Sequence, residues 1–314
     1  MIKLKRKNPL FVIVFYSTSI IISLLNSSPV RANMMDNVKY LISFKTTRSA
    51  CMVRVNGFPV FDNLTYTSGT VSAGDNITSF IENGKNNIEI LMGSIDSADK
   101  NTLYSDSACE IKITKYTVNS SETITIFRLS VDPNKKIVAS SSSHYDGLEH
   151  EGPIIEEQLP QDKALYLHRF YRKVKFSGIP EWSWVNADRV VIEEDIPNIK
   201  EKYHQIWIAI KNRNLNNLKE ITEISNREMG YAEGVSSDAI FESYDLQRKV
   251  LNENLSPINL EWSKYNLVTY CGGRAFRMAN SIYQNSPLKF KDKNNELVFS
   301  YNPYFPIING KIVI

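Results

Sequence analysis

The chain predicts an α+β fold, and three observations carry that prediction. Residues 38–131 alternate apolar and polar side chains with a period of two, the mark of half-buried strands. Residues 195–229 repeat apolar side chains at steps of three and four, the mark of amphipathic helices. From Asn266 to Ile314 the chain returns to short apolar runs separated by turn residues. That order places an N-terminal antiparallel β-sandwich before a helical pair packed on an antiparallel sheet. The expected divisions are 1–32, a leader; 33–131, the sandwich; 132–160, a linker; and 161–314, the α+β domain.

The leader is read from its charges and its apolar run. Lys3, Lys5, Arg6 and Lys7 precede a nearly uninterrupted apolar stretch from Leu10 to Leu25, and Val30-Arg31-Ala32 offers the residues a signal peptidase accepts. Those features describe a secretory signal peptide. The stretch is shorter than the roughly 20 residues a membrane span needs. Cleavage, export to the periplasm and no membrane span thereafter are the expectations. Residues 1–32 hold five of the 37 basic residues and none of the 34 acidic ones, so the remainder carries 32 against 34, a net of −2. A nucleic-acid partner needs a concentrated basic surface and gains no support.

An exported chain meets an oxidising compartment. Cys51 and Cys109 both open strand-like segments of the first half, and a disulfide between them is expected. Cys271 is left free and buried.

Within the first half, strands are expected at Tyr40–Phe44, Cys51–Val55, Phe58–Phe61, Ile77–Ile81, Asn87–Met92, Cys109–Thr117 and Thr123–Leu129. Asn56-Gly57 between two of them is a strong hairpin signal. CMVRVNGFPVF followed by ITSFIENGKNNIEILMG is similar to jelly-roll-like modules of secreted proteins. That resemblance implies a scaffold or binding module, often for glycans. Tyr66 and Tyr104 fall in loops, where exposed tyrosines are ordinary. Next come Ser140 to Ser143 and a stretch of His, Glu, Gly and Pro to Pro160, the composition of a connection. His144, Asp146, Glu149, His150 and Glu151 match no standard zinc or calcium spacing, so neither metal nor cofactor is expected.

The second half opens on Leu165–Leu167 and Val174–Phe176, two strands or a short helix and a strand, and Glu181-Trp182-Ser183-Trp184 follows the break at Gly178-Ile179-Pro180. In an extended segment Trp182 and Trp184 point to one side, where they could anchor a ligand or pack beneath the helices. Ile199, Tyr203, Ile206 and Ile210 then share a helical face, with Trp207 beside them. After the polar break Lys211 to Asn214, a second run carries Leu218, Ile221, Ile224 and Met229, with Asn214 as N-cap. Ser237 is expected to cap a further helix bearing Ile240, Phe241, Tyr244 and Leu251. Strands follow at Asn266–Tyr270 and Arg274–Ala279, then two hairpins, the last turning at Asn309-Gly310.

Catalytic signatures are absent from the sequence: there is no Gly-x-Ser-x-Gly, no His-Glu-x-x-His and no phosphate-binding glycine loop. Cys271 with His168 or His204 lacks the electropositive setting that activates a thiolate. Glu193-Glu194-Asp195 suits a helix N-terminus. Arg274 is a candidate for a cleft or an acidic partner.

The phrase YHQIWIAIKNRNLNNL, from Tyr203 to Leu218, is similar to the opening of the cone-shaped α+β proteins related to nuclear transport factor 2, a group that includes enzymes and pure binding proteins. The layout as a whole, with its closing segments GGRAFRMANSIY and YNPYFPIINGKIVI, resembles periplasmic immunity proteins paired with effectors of bacterial type VI secretion systems. This resemblance implies a non-enzymatic inhibitor that grips a toxin, and a toxin effector is the expected partner. Trp182, Trp184 and Arg274 are the candidate binding residues. An envelope glycan-binding protein, or an enzyme with an unrecognised site, are the alternatives.

Overall fold

The computed structural model describes residues 38–141 and 152–314. The expected leader at 1–32 and the candidate metal set at 144–151 lie outside these residues. Strands β1 (Lys39–Thr47), β2 (Ala50–Val55), β3 (Phe58–Asp62), β4 (Ser72–Asn76), β5 (Gly84–Gly93), β6 (Ala108–Tyr116), β7 (Ser121–Val131), β8 (Ile137–Ser141), β9 (Ile155–Glu157) and β10 (His168–Phe176) make two five-stranded antiparallel sheets. The first runs β4-β1-β6-β7-β8 and the second β3-β2-β5-β10-β9. A short helix, α1 (Pro160–Ala164), leads into β10.

Alternation explains why the sheets meet. In β1 Tyr40, Ile42 and Phe44 are buried while Leu41, Ser43 and Lys45 are exposed. The inward set joins Ile111 and Ile113 of β6 and Phe127 and Leu129 of β7. Against them stand Val53 and Val55 of β2, Ile88 and Ile90 of β5, and Phe170 and Val174 of β10. Each such side chain contributes about 1.5–3 kcal/mol on full burial. Cys51 of β2 is bonded to Cys109 of β6, with Cα atoms 6.2 Å apart. The bridge ties one sheet to the other through their common core.

Two departures from expectation have local causes. Ile77–Ile81 is not a strand. Thr78–Phe80 forms a 3-10 turn, and the strand is the preceding Ser72–Asn76. The Asn76 side-chain oxygen accepts from the Thr78 amide and hydroxyl, which turns the chain at that point. Ile77 and Ile81 still reach the core, both fully buried. Second, β8 and β9 lie within the stretch expected as a linker. β10, beyond the boundary expected at 161, pairs with β5 from His168↔Met92 to Phe176↔Gly84. Contacts gather the described residues into one compact unit.

Helices follow: α2 (Ile192–Lys211), α3 (Leu215–Ile221), α4 (Glu223–Glu233), α5 (Ser237–Ser243) and α6 (Leu246–Leu251). Asn214 caps α3, accepting from the Asn217 amide at 3.0 Å. The run expected as one second helix breaks at Thr222, whose hydroxyl bonds back to the Leu218 carbonyl at 2.8 Å. The cap of α5 is Ser236, not Ser237: its hydroxyl accepts from the Ala239 amide. Among the described residues, no helix is long and apolar enough to cross a membrane.

The tail holds β11 (Ser256–Pro257), β12 (Asn266–Tyr270), β13 (Ala275–Ala279), β14 (Lys289–Lys291), β15 (Leu297–Ser300), β16 (Ile307–Ile308) and β17 (Lys311–Ile312). They form three small sheets, β11-β14-β15, β12-β13 and β16-β17, in place of one. Pro287, Pro303 and Pro306 lie between these strands, where missing amides stop a ladder from continuing. Ile199, Tyr203, Ile206 and Ile210 of α2 pack on Phe276 and Met278 of β13, Phe290 of β14, and Phe305. The Tyr203 hydroxyl accepts from the Met278 amide at 3.0 Å. Elsewhere the tail covers the outer face of the second sheet. Tyr270 stacks on Phe58, centroids 4.9 Å apart, and Ile282 packs on Met52 and Leu91.

The bridge spans 58 positions, and a loop of that length should contribute roughly 4 kcal/mol through the unfolded chain. Replacing both Cys51 and Cys109 by Ala should lower the unfolding free energy by about that amount, measured by urea titration under oxidising conditions. A loss within error of zero would assign the bridge no stabilising role.

Candidate functional site

Trp182 and Trp184, expected on an extended segment, sit in and beside a turn, and both indoles are buried, 3% and 8% exposed. The Trp182 Nε1 donates to the carbonyls of Thr78 and Ile81, each at 3.0 Å. The Trp184 Nε1 donates to the Ser79 carbonyl at 3.2 Å. Each indole therefore supplies the donor that a buried carbonyl of the 3-10 turn requires. Neither ring is open to stack on a ligand.

Arg274 belongs to the same joint. Its guanidinium forks onto Glu82, with Nη1 to Oε2 at 2.8 Å and Nη2 to Oε1 at 2.5 Å. Nη1 also donates to the Val185 carbonyl, and Nε to that of Cys271. The cation lies 5.4 Å from the Trp184 ring centre. So the structure brings the three candidate residues together, but as a latch between the turn and the C-terminal strands. Ser183, between the two tryptophans, holds Glu228 of α4: amide to Oε1 at 2.8 Å, hydroxyl to Oε2 at 3.1 Å.

Cys271 is free and half-buried, in place of the full burial expected. Burial pushes its thiol well above the ordinary range, with Arg274 opposing only in part. A protonated thiol is a poor nucleophile. His168 bonds Gln158 at 3.2 Å, and His204 stacks on Trp207.

Open concave surface lies elsewhere. Along the outer face of α2 runs a groove of about 430 Å³, lined by Lys200, Glu201, His204, Trp207, Asn259 and Trp262. A second hollow of about 290 Å³ shares Trp207 and Asn259 with it and adds Lys211, Arg213 and Leu255. Trp207 is half-buried, and its Nε1 donates to the Ile258 carbonyl at 2.9 Å, which fixes the ring. Lys211 lies 4.9 Å from the Trp207 ring centre, and Lys200 5.7 Å from that of Trp262. Two oriented indoles thus face a groove whose rim carries Lys200, His204, Lys211 and Arg213 against Glu201. A separate cleft of about 540 Å³, between the two ends of the sheets, is lined by Lys100, Lys135, Lys163 and His168.

No protein-family model, curated protein or solved structure matches this chain.

The sequence places Trp207 beside the buried stripe of α2, where it reads as a widening of the apolar face and not as part of a groove. The available signal was its spacing: His204 three positions before and Lys211 four after put two basic side chains around one indole. Trp262 carries no comparable local signal, because it lies in a 3-10 turn that reaches α2 only after folding.

Two outcomes follow from the latch. Arg274→Ala should destabilise by about 2 kcal/mol, and Arg274→Lys should recover little because the fork is lost. A double-mutant cycle with Glu82→Gln measures the coupling, and a coupling of zero would dissolve the latch. Burial raises the Glu228 carboxyl above its ordinary value, despite the bonds from Ser183 that lower it. The folded state then holds that proton more tightly than the unfolded chain. Its contribution is full below the unfolded carboxyl pKa and is lost as pH rises through the folded value. Glu228→Gln should therefore be the more stable form at pH near 7, with the gap closing toward pH ~4. Urea titrations of both proteins at the two pH values test this. A Gln form that is less stable near neutrality would show that the Ser183 bonds outweigh burial.

Proposed function

We propose that this protein is an exported, non-enzymatic binding protein, a periplasmic immunity protein that grips and neutralises a toxic bacterial effector. The observation that carries this reading is the groove along α2, with the indoles of Trp207 and Trp262 set in a basic rim. Protein interfaces draw most of their affinity from a few such aromatic anchors in partly enclosed hollows. The excess of cations along the rim suits an acidic partner surface, which speeds encounter and fixes register. The expected leader at 1–32 supplies the route to the periplasm. In this reading the two sheets form a jelly-roll-like sandwich that serves as scaffold. Helix α2 and the broken second run, α3 and α4, stand for the helical pair, and α2 with the segment 255–262 presents the groove. No bond is made or broken, so a thiol held protonated at Cys271 is no handicap.

The same groove supports one other reading. Two indoles with Glu201 and Asn259 nearby are also the groups that stack on a sugar ring and bond its hydroxyls, which would make the protein an envelope glycan binder.

Affinity capture from periplasmic extract with the tagged chain separates these readings. The expected outcome is a retained protein partner, with Trp207→Ala and Trp262→Ala each weakening it at least about tenfold, or ~1.4 kcal/mol. Retention of peptidoglycan fragments without protein, lost in the same variants, would favour the glycan reading. Retention that neither variant alters would remove the groove from function.

A further inference from the structure

The outer face of the second sheet carries a row of charges beneath the tail. Arg54 of β2 stands opposite Glu89 of β5 in the ladder, and Glu89 stands opposite Tyr171 of β10. Glu89 is already engaged: it accepts from the Asn87 amide at 2.6 Å and from Arg169 at 2.5 Å. Asp162 is engaged too, by the Nε and Nη2 of Arg169 at 2.7 and 3.1 Å. Both carboxylates thus belong to Arg169. Arg54 is 7% exposed, and its Nε is enclosed with no acceptor. Among the described residues no hydrogen bond or ion pair engages its guanidinium.

Across the seam the tail presents more donors. Arg277 is 3% exposed, and its bonds go to neutral oxygens: the hydroxyls of Tyr270 and Tyr304 and the carbonyl of Asn302. The Tyr270 hydroxyl donates to Gln284 Oε1 at 2.6 Å. Arg54 and Arg277 both act electrostatically on Tyr270. Three buried guanidiniums, Arg54, Arg169 and Arg277, meet two buried carboxylates, Glu89 and Asp162, and Glu157 of β9 acts on Arg169 from the exposed edge. Glu89 and Asp162 act on Arg54 at a distance, but its enclosed Nε has no acceptor among the described residues, whereas buried polar groups are ordinarily hydrogen-bonded.

We infer that Arg54, with Arg277 and the Tyr270–Gln284 pair beside it, forms a binding site for a small oxyanion, a phosphate or a free carboxylate, in the seam between the second sheet and the tail. A guanidinium offers its donors in a fork that matches two oxygens of such an anion. The anion would supply the acceptor that the Arg54 guanidinium lacks. Burial and the Arg169 charge hold the Arg54 pKa below its ordinary value, the direction that an added anion reverses. This site is separate from the groove on α2 and does not depend on what binds there.

Thermal unfolding and titration calorimetry of the full mature chain test it, with inorganic phosphate and acetate as probes and chloride at matched ionic strength as control. Wild type should bind phosphate, acetate or both, and its Tm should rise by roughly 3 °C or more near saturation. A response to acetate alone would make the ligand a carboxylate, and a response to phosphate alone a phosphate. Arg54→Met removes an unpaired buried charge, so in anion-free buffer it should be at least as stable as wild type. In saturating anion the order should reverse, with affinity reduced tenfold or more. Absence of any heat or Tm response in wild type beyond chloride would overturn the site, whether or not the variant folds. So would an undiminished response in a folded Arg54→Met protein.

Discussion

Four consecutive carbonyls, those of Thr78, Ser79, Phe80 and Ile81, receive their hydrogen bonds from side chains: the indoles of Trp182 and Trp184 and the amide of Asn56. The rest of the structure depends on this turn. It follows β4 of the first sheet and leads into β5 of the second, so it sets how the chain passes from one sheet to the other. A 3-10 turn this short satisfies little of its own backbone, and a buried carbonyl left bare costs about 1–3 kcal/mol. The indoles remove that cost, and in doing so they anchor residues more than a hundred positions later in the chain. Arg274 on Glu82 closes the same joint from the tail.

The joint explains how polar side chains are distributed. Where the tail lies over the second sheet, the contact is part apolar and part charged. Phe58 on Tyr270 and Ile282 on Met52 are ordinary burial. Arg169 between Glu89 and Asp162 is a closed ion network, whose desolvation is offset by its multiple short bonds. Arg54 and Arg277 border that network without a carboxylate of their own. The seam encloses an Arg54 Nε with no acceptor among the described residues, whereas the groove on α2 is shaped exterior. The fold keeps the two features apart.

Much of the architecture was legible in neighbouring residues. The alternation of Tyr40, Ile42 and Phe44 gave β1. The spacing of Ile199, Tyr203, Ile206 and Ile210 gave α2. Asn214 marked a cap, and Asn56-Gly57 and Asn309-Gly310 marked hairpins whose residues sit at positive φ. The pairing of Cys51 with Cys109 was also legible, because export favours oxidation and both cysteines lie in the first half. Ile77–Ile81 misled because its apolar residues are buried, as in a strand, while the Asn76 side chain turns the backbone. The single tail sheet misled because alternation reports which face is buried and says nothing about which strand lies alongside.

The sequence by itself determined the class of the fold, the faces of its strands and helices, and the break points between them, since each is set by side chains within a few positions of one another. Tertiary structure alone decided that Trp182, Trp184 and Arg274 serve the interior while Trp207 and Trp262 face a groove. It alone left the Arg54 Nε enclosed without an acceptor among the described residues. Whether an indole or a guanidinium is enclosed, and what it then bonds, depends on groups that are distant in the chain and adjacent only once the sheets, helices and tail have packed.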